Sequence, residues 1–409
     1  LQEKIIFHVD VNSAFLSWEA VYRKNVLGET LDLRSIPSAV GGDSSKRHGI
    51  ILAKSTPAKK YKIQTGEPIV QALQKCPELV LVPPNHTLYE QCSQSLLDLL
   101  YEYTPDIEPF SIDEAFLDMT GACIHFASPL KAAQTIKDRV KNELGFTVNI
   151  GISSNKLLAK MASDFQKPDM IHTLFPDEVP AKMWPLPLEE LFFVGRSTSK
   201  ILHGLGLNTI GDIAKMDLSI LKAHIGNKHG QLIYQYANGI NNDLIETAES
   251  PNKGIGSSTT LSRDVTDYET AKPVLLSLSE TVAARLRTSE VKSSCITVEL
   301  TDCDFNHQTH QTSLLSPTNT ANTIQETACR LLKECWNGTP LRLLGIRATK
   351  LTTEEYTQMN LFDMTRNEKL EKLDKALDSI RSRYGSDSVK RARFMEPEKS
   401  QSSNNAQMK

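Results

Sequence analysis

No apolar run in this 409-residue chain reaches the length of a membrane-spanning helix. Its opening residues lack the basic, apolar and small-residue order of a signal peptide. Cysteine is sparse: there are seven, an odd number, with no Cys-x-x-Cys pair. A disulfide frame and a cysteine-based zinc site are therefore not expected, and reduced thiols in the cytoplasm are. Net charge is nearly absent too, 46 Lys and Arg against 49 Asp and Glu leaving −3. Composition carries no polyanion signal, so any nucleic-acid surface must be built from local patches. There is no tandem repeat and no nucleophile-elbow pattern that would suggest hydrolase chemistry. "GGD" (41–43) lacks the flanking residues that would make it a nucleotide-cyclase signature.

What is present is a mixture of strands and helices, long enough for roughly two to four domains. "KIIFHVDVNSAF" (4–15) reads as a strand ending in small and polar residues, "SWEAVYRKNV" as a short helix, and "HGIILAKS" (48–55) as a strand. Residues 86–103 space Leu88, Cys92, Leu96, Leu99 and Leu100 as a helix does, and "TVNIGISS" (147–154) is a further strand. The fold class expected is α+β. From about residue 185, short helices are broken by Gly195, Gly204 and Gly206. "ETAESPNK" (246–253) reads as a linker. Residues 254–351 form a second α/β mixture, and the last ten residues are polar and expected to be disordered.

"PFSIDEAFLDMT" (109–120) sets Asp113 and Glu114 side by side in a run otherwise fit for burial. Neighbours on a strand face opposite ways, so the two acids share a target only at a turn or bulge. Solvated acids at a hairpin tip and a metal site at that tip both fit. Asp10, at the end of another apolar strand, favours the second. Three carboxylates buried together cost several kcal/mol each unless cations join them. Hard ions such as Mg²⁺ suit carboxylate and carbonyl oxygens. Two of them about 4 Å apart activate an attacking oxygen and stabilise a leaving pyrophosphate. No His or Cys cluster suggests a softer metal.

In "GISSNKLLAKMASDFQKPD" (151–169), Ser153 or Ser154 is placed to cap a helix. Leu158, Met161, Ala162 and Phe165 form its core stripe, and Lys156, Lys160, Ser163 and Lys167 a second face. That face is either solvated or a cationic track that, with Lys59 and Lys60, neutralises a triphosphate. "FFVGRSTSKILHGLG" (192–206) and "AHIGNKHGQLIYQYANG" (223–239) each read as helix, glycine hairpin, helix. Such hairpins are either plain packing units or sequence-independent phosphate holders.

"HVDVNSAFLSWE", "SIDEAFLD", "GISSNKLLAKMASDFQKP", "VGRSTSKILHGLGLNTIGDIA" and "GIGSSTTLSRDV", in this order, resemble the motifs of Y-family, translesion DNA polymerases in their bacterial UmuC-like and DNA polymerase IV-like branch. The resemblance covers roughly residues 4–350. It implies a multidomain right hand: palm 1–18 and 82–175, fingers 19–81, helix-hairpin-helix thumb 176–245, linker 246–253, little finger 254–351 and C-terminal tail 352–409. It further implies that Asp10, Asp113, Glu114 and the Val11 carbonyl hold two Mg²⁺ ions, with Glu114 nearest the primer 3′ oxygen. Phe15 matches the steric gate beneath the incoming sugar, and Lys167 matches a lysine on the triphosphate. Thr56 and Lys59 stand where many members have Tyr and Arg, so that contact keeps its charge but loses the guanidinium fork. Gly195, Arg196, Gly226 and Lys228 would hold DNA phosphates in the thumb.

Residues 254–351 carry ten Lys and Arg against ten Asp and Glu, so weak or localised DNA grip is expected of the little finger. "QMNLFD" (358–363), before a helix-like "KLEKLDKALDSIRSRY", resembles the bacterial sliding-clamp-binding peptide, with Gln358, Leu361 and Phe362 as anchors for an apolar groove. A segment packed on its own domain is the other reading. The function expected is low-fidelity, template-directed DNA synthesis that copies damaged templates from primer–template DNA and deoxynucleoside triphosphates. The protein is expected to be a cytoplasmic monomer without membrane attachment. A non-catalytic clamp-docking DNA-binding factor of the same fold is the alternative, and the complete acid triad favours the enzyme.

Overall fold

The computed structural model describes residues 4–42, 49–248, 251–353, 364–385 and 388–389. The chain divides into two units, Leu1–Glu249 and Ser250–Lys409. The first opens with β1 (Ile6–Val11), α1 (Ala14–Asn25), β2 (Ser38–Gly41), β3 (Ile51–Lys54) and the short α2 (Thr56–Lys59). After α3 (Ile69–Lys75), β4 (Val80–Val82) and α4 (His86–Tyr101) come β5 (Ile107–Pro109), β6 (Glu114–Asp118), α5 (Pro129–Arg139), β7 (Val148–Ser153), α6 (Lys156–Asp164) and β8 (Ile171–Thr173). The main sheet has the order β5-β6-β1-β7-β8, and a small sheet the order β3-β2-β4.

β1 is the central strand and is covered on both faces, so all six of its residues are buried. Phe7, Val9 and Val11 pack with Trp18, Tyr89 and Ile136. Ile6 and Phe116 pack on the other side against Ala159 of α6. α1 spans the palm–fingers boundary expected between residues 18 and 19, and its Trp18 and Ala20 belong to the same core.

The cap of α6 is neither expected serine but Asn155, one residue beyond Ser154. Asn155 Oδ1 accepts from Leu158 N at 2.9 Å, while the Ser153 hydroxyl donates to the Leu174 carbonyl. Residues 157–163 are all buried because α6 is sandwiched. Ala159 meets the sheet, and Leu157, Leu158, Met161 and Ala162 meet a helical layer beyond it. Gly151 of β7 permits this close approach, since a Cβ there would stand 1.9 Å from the Ala159 carbonyl oxygen.

The helical layer comprises α7 (Val179–Lys182), α8 (Arg196–Gly204), α9 (Ile210–Lys215), α10 (Leu218–Ile225) and α11 (Asn227–Ala237). No helix forms between residues 192 and 195, where one was expected: a 3₁₀ turn at Leu188–Glu190 precedes irregular chain, and α8 starts directly after Gly195. The second expected hairpin is present as α10, Gly226 and α11, with Gly226 at φ 87°, a value glycine adopts without strain.

The second unit contains β9 (Gly254–Val265), α12 (Tyr268–Thr288), β10 (Lys292–Asp302), β11 (His307–Thr318), α13 (Ala321–Cys335) and β12 (Leu341–Thr352). Its antiparallel sheet has the order β11-β10-β12-β9. Leu275, Val282 and Leu286 of α12 and Ile324 and Leu331 of α13 share a core with Ile296, Val298 and Ile346 of that sheet. α14 (Met364–Tyr384) is held to this unit by charge. Arg287 donates to both oxygens of Asp378 at 2.6 and 3.0 Å and to Asp374 at 3.3 Å. Lys292 pairs with Glu371 at 2.7 Å and Arg381 with Glu280 at 3.1 Å. Asp374 also accepts from Ala321 N at 2.9 Å, capping α13, whose own Thr320 supplies no side-chain cap. Among the described residues no helix is long and apolar enough to cross a membrane. The expected clamp anchors Gln358, Leu361 and Phe362 lie outside the described residues.

Candidate active site

The β1–β6 register sets Asp10 directly opposite Glu114 and His8 opposite Phe116. Cross-strand partners share a face, so all four side chains point toward α6. β5 stops at Pro109, short of the acids. Residues 110–113 turn back tightly, with Phe110 N and Ser111 N both donating to the Glu114 carbonyl at 2.9 and 3.1 Å. Asp113 is therefore a turn residue and Glu114 the first residue of β6. The backbone of Val11 donates to the Asp113 carbonyl at 3.0 Å, tying the turn to the end of β1. This is how two neighbouring acids reach the same end of the sheet.

The lysines of α6 and the residues just after it are neither a solvated face nor a free track. Lys156 binds both oxygens of Glu108 at 2.6 and 2.7 Å. Lys160 donates to Glu114 Oε2 at 2.8 Å, and its ammonium lies 5.3 and 5.4 Å from the ring centres of Phe110 and Phe192. Lys167 bridges Asp10 at 3.0 Å and Asp164 at 2.8 Å. Ser163 meets Nδ1 of His8 at 2.8 Å. The opposite edge of that ring, Nε2, is buried without a hydrogen-bond partner, 3.6 Å from Glu114 Oε2.

These environments push the two opposed acids apart. Burial, with Glu114 alongside, drives Asp10 up to about 7 despite the opposing charge of Lys167. Burial would raise Glu114 as well, but contact with His8 and Lys160 outweighs it, so that carboxyl is held well below the usual carboxylate range. Burial lowers the proton affinity of His8.

Asp10, Val11, Phe15, Lys54, Lys59, Asp113 and Lys167 line one cleft of 370 Å³. Phe15, on the first turn of α1, stacks on Tyr89 at 4.4 Å with the rings 12° from parallel. An adjoining hollow of 200 Å³ brings Thr56 and Arg34 beside Asp10, Lys59 and Lys167. Gly195, Arg196, Gly226 and Lys228 line neither hollow. They are exposed at the starts of α8 and α11, which Thr198 Oγ1 and His229 Nε2 join at 3.2 Å.

The donor set suits a hard divalent cation: carboxylates, a strand-end carbonyl, and no sulfur or converging imidazoles. Among the described residues no three acidic, His or Cys side chains converge to enclose an ion. Lys160 and Lys167 already stand as cations on Glu114 and Asp10, and the Ser111 hydroxyl donates to Asp113 at 2.7 Å. The oxygen donors are of the kind a hard cation takes, and Lys160 and Lys167 put positive charge on two of the carboxylates.

Residues 9–164 match the model of the impB/mucB/samB family, and residues 252–361 match that of the family's C-terminal domain. The chain belongs to the impB/mucB/samB family. Residues 190–241 of this family member also match a thumb domain described for DNA polymerase-iota. It is 46% identical to a protein of Clostridium acetobutylicum named DNA polymerase IV, over 97% of this chain and 99% of the relative. A DNA polymerase IV of Acetivibrio thermocellus is 36% identical over 95% and 97% of the two chains. DNA polymerase IV 1 of Bacillus subtilis is 35% identical over 98% and 95%. A Y-family DNA polymerase chimera superposes with a TM-score of 0.74, covering 86% of this chain and all of the other at 23% identity, which shows a shared fold.

Within this impB/mucB/samB site, sequence patterns single out the acids, Phe15, Thr56, Lys59 and Lys167. They do not single out His8, Arg34 or Lys54. The signal available for Lys54 was its alternation with buried Ile51 and Ala53 on β3. His8 carried one as well, two residues before Asp10 and on the same strand face.

Proposed function

We propose that this chain is a template-directed DNA polymerase of the Y-family, adding deoxynucleotides to a primer 3′-hydroxyl and copying damaged templates. The observation that carries the reading is the placement of Asp10, Asp113, Phe15, Lys59 and Lys167 around one cleft, with Glu114 opposite Asp10, in a chain whose named relatives are DNA polymerases. Divalent-metal dependence goes with such a family. Here two Mg²⁺ ions would be held by Asp10, Asp113, Glu114 and the Val11 carbonyl, supplying charge neutralisation for phosphoryl transfer. Lys167 and Lys59 neutralise the phosphates of the incoming nucleotide, and Phe15 blocks a 2′-hydroxyl. The exposed, glycine-led starts of α8 and α11 grip backbone phosphates without reading sequence. Residues 358–363 dock on a sliding clamp.

Primer extension on undamaged and lesion-bearing templates, with and without Mg²⁺, tests this reading. Extension is expected to require the metal. Asp113→Ala or Glu114→Ala is expected to slow nucleotide addition by several orders of magnitude while primer–template affinity stays within a few-fold, because charge stabilisation counts most in the transition state. DNA binding without extension by the unaltered protein would favour a non-catalytic docking factor instead.

A further inference from the structure

Lys54 is the last residue of β3. On that strand Ile51 and Ala53 are buried, while Leu52 and Lys54 alternate onto the half-buried face. Ser55 then caps α2, its hydroxyl accepting from Ala58 N at 3.1 Å, and α2 ends at Lys59. The cap fixes the turn between the two lysines, and both line the cleft that holds Asp10, Asp113, Phe15 and Lys167.

The charge balance of that cleft is uneven. Lys167 is committed to Asp10 and Asp164, and Lys160 to Glu114. Glu67, the acid whose charge acts on Lys54, is bound by Lys75. Among the described residues neither Lys54 nor Lys59 has a side-chain hydrogen bond or an ion pair. Burial, and then the neighbouring charge of Lys59, lowers the proton affinity of Lys54. Two unpaired ammonium groups facing one concavity repel each other until an anion arrives, which is the arrangement expected of a polyanion site. A single lysine is a point charge on a flexible stem and cannot clamp a phosphate chain as a guanidinium does. Two lysines anchored on consecutive, rigid elements can.

We propose that Lys54 is a nucleotide-contacting residue that acts with Lys59 on the phosphate chain of the incoming deoxynucleoside triphosphate. The proposal rests on the polymerase reading above. The bland competitor is a solvated lysine at a strand end, whose loss would change nothing in catalysis.

Single-nucleotide incorporation by Lys54→Ala and Lys54→Arg separates the two. Loss of one charge-assisted contact should raise KM for the nucleotide about tenfold. The value of kcat should hold within a few-fold, and Lys54→Arg should recover most of the loss. Affinity for primer–template, read by fluorescence anisotropy without nucleotide, should not move, and the thermal midpoint should match that of the unaltered protein. An unchanged KM in an actively extending Lys54→Ala variant overturns the proposal. So does a variant that weakens primer–template binding instead, since Lys54 would then be a template contact. If Lys54→Ala lowers the thermal midpoint, Lys54→Gln, which keeps the side-chain stem, carries the same test. Failure of the unaltered protein to extend any primer overturns the polymerase reading itself, a result distinct from all of these.

Discussion

At Asp10 burial and charge pull in opposite directions. The carboxyl titrates near 7 instead of its ordinary 3.8 because burial penalises its ionised form more than Lys167 supports it. Between those two values the folded chain holds a proton that the unfolded chain has released. Stability from this group is therefore complete below about pH 4 and is lost as pH rises through 7. A divalent cation held there, as proposed above, would replace the proton. The rise in thermal midpoint produced by Mg²⁺ should be small at pH 6 and larger at pH 8, and the difference should flatten in Asp10→Asn; thermal scans at both pH values check this. At this scale the sequence is partly legible. Asp10, Asp113 and Glu114 stand out because acids in apolar strands are costly. The partners that tune them do not, because Lys160 and His8 reach Glu114 only once β1, β6 and α6 are laid together.

Among the elements, α14 shows how little a periodic pattern says about docking. Its helical character is visible in "KLEKLDKALDSIRSRY". Its attachment is not, since Arg287 and Asp378 are 91 residues apart in sequence. Among the described residues, none of this helix belongs to the apolar core of the second unit, while ion pairs join the two. Asp374 is 4% exposed and also caps α13. Arg287→Ala would leave it buried without its guanidinium, at a cost of about 3 kcal/mol. The variant should lower the unfolding temperature of the second unit and open residues 364–385 to trypsin at concentrations that spare the unaltered protein; calorimetry and limited proteolysis check both. Elsewhere the strands and the longer helices follow their hydrophobic spacing. The departures sit where local chemistry overrides spacing: Asn155 outcompetes two serines as cap, and no helix forms over residues 192–195.

Over the whole molecule, charge is close to balance at −3, so DNA retention must come from local features and from tethering rather than from a general field. Leu361 and Phe362 bear on this. Full burial of such side chains in a groove is worth roughly 1.5–3 kcal/mol each. Ordering costs would reduce that to about micromolar affinity, which a clamp encircling DNA would convert into a high local concentration at the primer end if residues 358–363 dock as proposed. Leu361→Ala combined with Phe362→Ala should leave extension of a bare primer intact and abolish both clamp binding and clamp stimulation. Parallel extension assays with and without clamp, plus a direct binding measurement, check it. A variant that loses thermal stability and bare-primer activity together would show those side chains packed into the fold instead.

The contact between Gly151 and α6 has a consequence in the language of inheritance. Every amino-acid replacement of a glycine adds at least a Cβ, and here that atom would sit on the Ala159 backbone. The helix pushed away would take with it Lys160 and Ser163, the groups that meet Glu114 and His8. The codon for residue 151 thus has no mild missense neighbour. At this position each single step is a large one.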